Sequence, residues 1–117
     1  MEDWKAFEDQ IMAKVDSIKN YRKETPIHHI VAQRAPQAQP SRNILSEAGI
    51  NYRTDTRNLI PLKESFHQRL HTQLYYDLVN IAMFNAKASA GNLKTNVTAT
   101  QAGIRVVLNT INRFFPI

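Results

Sequence analysis

The chain has 117 residues, 43% of them apolar, a formal charge of +5 and no cysteine. That length suits one domain with a modest core, and the absence of cysteine excludes a disulfide framework, a thiolate metal site and a cysteine nucleophile. The positive balance favours polyanionic partners, with nucleic acid or an anionic membrane as the usual classes.

In chain order, Trp4, Phe7, Ile11, Val15 and Ile18 recur every three or four positions, which predicts a helix over 3–21 with one apolar face. Its charged residues are acidic as often as basic, so it reads as a packing helix rather than one lying on a membrane surface. Glu2, Asp3, Glu8 and Asp9 exclude a signal peptide here, and an export address would lie outside this chain. No apolar run approaches the roughly 20 residues of a membrane span, so no membrane partner is expected. Arg22 to Thr25 break the helical pattern, and Pro26 favours an extended residue before it. Ile27 to Ala32 reads as a short strand, and Gln33 to Pro40 as a loop. Ser41 is placed to cap a short helix that runs to Glu47 with Ile44, Leu45 and Ala48 inward and Gly49 as its stop. Asn58 to Leu62 reads as a second strand, with Pro61 at an edge or end. A single long helix is expected from Lys63 or Glu64 to Lys87, striped by Leu70, Leu74, Leu78 and Ile81. After a loop from Ala88 to Asn96, Thr98 and Gln101 have capping-box spacing and open a last helix, with Ile104, Val107, Leu108, Ile111 and Phe115 inward.

All four histidines fall into one constellation. His28 and His29 are adjacent in the first strand; His67 and His71 are four apart, on one helical face, where they can chelate one ion. A third imidazole from the doublet would leave open positions for water and substrate. Neighbours on a strand point in different directions, so one of His28 and His29 would hold metal while the other stays free as a base, a task suited to an imidazole near neutral pH. An isolated HxxxH pair is more often an exposed polar face, and the doublet alone is equally weak; the combination carries the reading. A zinc protease needs a glutamate directly after the first helical histidine, and this chain has Gln68 there. A closed structural site of all four histidines is awkward because two are adjacent.

The segment from Ile27 to Val79 resembles the AHH nuclease domain of the HNH/endonuclease VII superfamily, whose ββα-metal finger is two strands followed by a helix. The resemblance is carried by His28-His29-Ile30-Val31-Ala32, then Arg42, Leu45, Gly49-Ile50, Asp55, Asn58-Leu59-Ile60-Pro61-Leu62, His67, His71-Thr72 and Tyr75-Tyr76. Ile27 stands where the family name implies alanine. The implied fold class is α+β and mostly helical, a short two-stranded hairpin plus helix flanked by N- and C-terminal helices, in one nuclease domain with its catalytic core at about 26–88.

The resemblance implies roles by position: His28, His67 and His71 as metal ligands, His29 as general base, and Asn58 as the middle residue of the HNH triad, preferred here as a brace for the loop carrying the base. It implies one divalent ion; three neutral imidazoles suit Zn, Ni, Co or Mn, with Mg still open because phosphate supplies oxygen. Among the nearby cations Arg34, Arg42, Arg53, Arg57, Lys63 and Arg69, we single out Arg57 and Arg69 as phosphate contacts. Such domains stand at the C-terminal end of bacterial polymorphic toxins, so the expected partners are DNA, cut with little sequence preference in the cytoplasm of a target cell after delivery by the producing bacterium, and a cognate immunity protein. A ribonuclease of the same fold is the near rival, and a noncatalytic, metal-stabilised nucleic-acid-binding module the rival from another class.

Overall fold

A computed structural model describes residues 26–116; the helix expected over 3–21 lies outside them. The elements are β1 (Ile27–His29), a 3-10 turn at Pro36–Ala38, α1 (Gln39–Glu47), a 3-10 turn at Thr56–Asn58, β2 (Leu59–Pro61), α2 (Glu64–Leu70), α3 (Gln73–Ala88) and α4 (Leu93–Phe114). The described residues therefore form a mostly helical α+β fold in which β1, β2 and α2 make the ββα unit, with α1 inserted between the strands. The strands pair antiparallel with Ile27 opposite Pro61, His28 opposite Ile60 and His29 opposite Leu59. Pro61, which has no N–H to give, sits at the end of the ladder.

Ile30, Val31, Leu45, Ile50, Ile60, Leu62, Met83 and Val97 are buried at the centre, each worth roughly 1.5–3 kcal/mol of transfer free energy. Helix α1 ends as expected: Gly49 takes a φ of 77°, and the Ile50 amide donates to Leu45 O at 2.9 Å. This closes the turn with a bond of Schellman type. Its start differs from expectation. The helix begins at Gln39, and Ser41, inside it and buried, donates its hydroxyl to Asn80 Oδ1 on α3 instead of capping.

Strand β1 is shorter than the 27–32 expected, because the Asn58 side chain takes the place of a neighbouring strand. Its Oδ1 accepts from Val31 N at 2.8 Å and its Nδ2 donates to Val31 O at 3.0 Å. The backbone there is satisfied without a ladder.

The long helix expected from 63 or 64 to 87 is two helices. His71 adopts φ −78°, ψ 73° and the Thr72 amide donates to Leu70 O at 2.7 Å, an inverse γ-turn. Thr72 then caps α3, its Oγ1 accepting from Tyr75 N at 3.2 Å. Restarting the helix resets its phase. Tyr75, Val79, Met83 and Ala86 face inward, whereas Leu74, Leu78 and Ile81, expected as a core stripe, are 68%, 56% and 55% exposed.

Helix α4 likewise starts earlier than Thr98, capped by Asn92 Oδ1 on Thr95 N at 2.9 Å, after Gly91 turns the chain with φ 102°. Its inward face includes Val97, Leu108 and the polar Gln101 and Asn112. These polar residues are bonded: Gln101 Nε2 to Asn58 Oδ1 at 3.2 Å, and Asn112 Oδ1 from Lys63 N at 2.8 Å. Val107 and Ile111, expected inside, are exposed in consequence. No described helix is long and apolar enough to cross a membrane.

Candidate metal centre

Strand alternation sends consecutive side chains to opposite faces. In β1 this buries His28 completely and leaves its neighbour His29 half-buried. His67 comes from α2, and the γ-turn at His71 swings the last imidazole back toward it: the two Nε2 atoms are 3.1 Å apart. His28 lies with its ring centroid 5.2 Å from that of His67 and 5.7 Å from that of His71. One nitrogen from each of the three rings lies within 4.8 Å of the others. Tetrahedral ligands on bonds of about 2.0–2.1 Å stand about 3.3 Å apart, so the His67–His71 pair already has that spacing and His28 completes a donor set that can close on a divalent ion of that kind.

Electrostatics agree with the geometry. Burial, followed by the neighbouring imidazoles of His67, His71 and His29, pushes the His28 pKa down from 6.5 to about 3. Burial, then His71, lowers that of His67. Both rings are thus held in the neutral, ligating form near pH 7. His28 Nδ1 is buried without a hydrogen-bond partner among the described residues. An orphaned lone pair costs free energy unless a cation takes it, which is a second sign that the residues fit a metal.

His29 stands apart from the cluster of three. Its Nε2 lies 3.1 Å from Arg53 O; a carbonyl only accepts, so Nε2 carries the proton and Nδ1 the lone pair. His29, His67, His71, Arg34, Ile27 and Tyr76 are among the residues lining a cleft of about 360 Å³, and no described carboxylate lines it. Such a cleft suits an anion.

Asn58 is fully buried beneath the doublet. Besides Val31 it holds Tyr52 O, through Nδ2 at 2.8 Å, and its own carbonyl accepts from Ile30 N at 2.8 Å. The side chain thereby ties the segment following the histidines to the loop before β2. Asn58→Ala would leave Val31 N, Val31 O and Tyr52 O without this partner and is expected to cost roughly 3 kcal/mol, read as a fall in the denaturant midpoint. A loss below about 1 kcal/mol would show that the brace is dispensable.

The two arginines singled out for phosphate are not brought to the cleft. Arg57 is held by Asp55, with Nε to Oδ1 at 2.9 Å and Nη2 to Oδ2 at 2.9 Å, and its Nη1 donates to Thr98 Oγ1 at 3.2 Å. Arg69 lies over the Phe115 ring, 5.8 Å from its centroid. Arg42 is buried and bonds Ala32 O at 2.7 Å and Ala35 O at 2.8 Å. Of the six cations considered, Arg34 lines the cleft; its position five residues after His29 was the available signal.

The model of the AHH family, described as a nuclease family of the HNH/ENDO VII superfamily with conserved AHH, matches residues 9–113. The chain belongs to the AHH nuclease family. The match takes in nearly all of the chain, well beyond the 27–79 that the motif alone spans, and includes all but the last residue of α4 and part of the N-terminal segment. An AHH nuclease acts on nucleic acid, and metal use is a property of the superfamily that the His28, His67, His71 cluster is equipped to meet. No curated protein and no solved structure was found to match.

Proposed function

We propose that this AHH nuclease is a metal-dependent endonuclease that hydrolyses phosphodiester bonds of DNA with little sequence preference, serving as the toxic C-terminal domain of a bacterial antibacterial toxin held in check by an immunity protein. The observation that carries the catalytic reading is the meeting of His28, His67 and His71 within 4.8 Å, at a cleft that His29 also lines. The net charge of +5 favours a polyanionic substrate, and the toxin role rests on the likeness to the tips of polymorphic toxins. Delivery into the cytoplasm of a target cell belongs to the same reading.

In this mechanism His28, His67 and His71 hold one divalent ion, with Zn, Ni, Co or Mn favoured by an all-imidazole set and Mg admitted by phosphate oxygen. When bound, the ion supplies Lewis acidity to the phosphate and to the departing 3′ oxygen. His29 accepts a proton from water at Nδ1. That water attacks phosphorus in line with the 3′ oxygen, whose bond to phosphorus breaks as the new one forms. The departing 3′ oxygen takes a proton from solvent and His29 returns its own to solvent, so the products are a 5′-phosphate and a 3′-hydroxyl. Arg34 is placed to bind a phosphate at the cleft, and Asn58 braces the segment that carries the base.

The test is conversion of supercoiled plasmid to nicked and linear DNA by protein loaded with Mn, Ni, Zn or Mg, beside an EDTA control and a parallel RNA. Metal-dependent nicking that EDTA abolishes is expected, weakening steeply with added salt. Intact protein that leaves both DNA and RNA untouched with every metal would exclude catalysis, and cutting of RNA alone would reassign the substrate. Expression inside a bacterial cell is expected to arrest growth, and an inert product would remove the toxin role.

A further inference from the structure

The paired tyrosines at the start of α3 point to a device that selects which nitrogen each histidine offers. Tyr75 Oη lies 2.7 Å from Ile30 O, a carbonyl that only accepts, so the phenol proton is committed there. The same oxygen lies 2.9 Å from His28 Nε2 and can therefore only accept from it. His28 must then carry its proton on Nε2 and its lone pair on Nδ1, and Nδ1 is the buried nitrogen without a partner. Tyr76, one residue on, bonds a different histidine: its Oη lies 2.9 Å from His71 Nδ1, which leaves His71 Nε2 facing His67 Nε2 at 3.1 Å. Both tyrosines are buried and sit in the first turn of a helix that the cap at Thr72 restarts. The break between α2 and α3 is what brings them to the imidazoles.

We propose that Tyr75 and Tyr76 are positioning residues for the metal centre, fixing His28 as an Nδ1 ligand through a relay to Ile30 O and His71 as an Nε2 ligand. The inference rests on the metal-dependent reading above and deepens it. Outer partners of this kind hold ring orientation and tautomer, and their loss weakens metal binding by about 10–100-fold. Burial also pushes the Tyr75 hydroxyl well above its usual range, so it stays a phenol across the working pH.

The experiment compares wild type, Tyr75→Phe and Tyr76→Phe. Long-range ¹H–¹⁵N spectra of the metal-free proteins read the tautomers directly, and zinc competition against a chelating dye reads affinity. The visible spectrum of the cobalt-substituted forms reads ligand geometry. Wild type is expected to show His28 protonated on Nε2, with Tyr75→Phe losing that preference. Each variant is expected to bind zinc about 10–100-fold more weakly, with an altered cobalt spectrum and an unchanged circular dichroism spectrum. Phenylalanine keeps the packed ring, and Tyr75→His, tested alongside, is expected to recover part of the affinity by restoring a polar partner. If wild type binds zinc and both phenylalanine variants bind it equally, with His28 on the same tautomer, the positioning role is overturned while the nuclease reading stands. If wild type takes up no metal, both fall together.

Discussion

Replacing His29 with alanine is expected to lower the rate of plasmid nicking by about 10²–10⁴-fold, the usual contribution of a positioned general base, while leaving metal affinity within about threefold of wild type. The two halves of this expectation come from the same local geometry. β1 puts His28 and His29 on opposite faces, so His29, which lines the cleft together with His67 and His71, is left outside the three rings that can hold an ion. Arg53 O holds Nε2 of His29, which leaves the lone pair on Nδ1 for the proton-accepting role proposed above. Rate and affinity measured on one preparation separate the possibilities. A variant that cuts within about threefold of wild type would remove His29 as the base; one that loses its metal would make His29 a ligand. His28→Ala should behave in the opposite sense, losing metal and activity together.

Much of the candidate site was legible because its signals are local. The doublet, the i, i+4 pair and the asparagine before the second strand are each read from adjacent residues, and strand alternation already sends the two rings of the doublet to different faces. What was not legible depended on tertiary hydrogen bonds. A run from Glu64 to Lys87 without glycine or internal proline reads as one helix; only the turn that aims His71 at His67 makes Thr72 a cap. The leucine stripe was misplaced for the same reason, since a helix restarted at Gln73 takes its phase from Tyr75 and Tyr76, which are drawn inward by the imidazoles. On α4, polar Gln101 and Asn112 are inward because Asn58 and Lys63 supply their partners, and a hydrophobic pattern cannot register a face chosen by hydrogen bonds. Which cations reach the cleft is likewise set by tertiary placement: Arg57 pairs with Asp55, two residues away, whereas Arg34 lines the cleft.

Acid should unfold the metal-free protein through His28. Its folded pKa is depressed to about 3 from 6.5, so the folded state refuses a proton that the unfolded chain accepts. Stability from this group is complete above pH 6.5 and falls as pH drops toward about 3, because the unfolded state binds more protons throughout that window. The full loss is roughly 4–5 kcal/mol at about 1.4 kcal/mol for each pH unit, a large share of what holds a domain of this size together. His67, whose pKa is lowered in the same direction, adds to the slope. Guanidinium titrations at pH 7.5, 6, 5 and 4 on wild type and His28→Gln would measure it. The wild-type stability is expected to fall steeply below pH 6.5, with the variant starting less stable but declining much less. Parallel curves would show that the proton goes elsewhere and that His28 is not the group resisting it. Adding zinc at pH 7.5 should raise stability in wild type, since an ion that binds only the folded state stabilises it by mass action. That gain should be absent in His28→Gln, which removes the imidazole from the cluster of three.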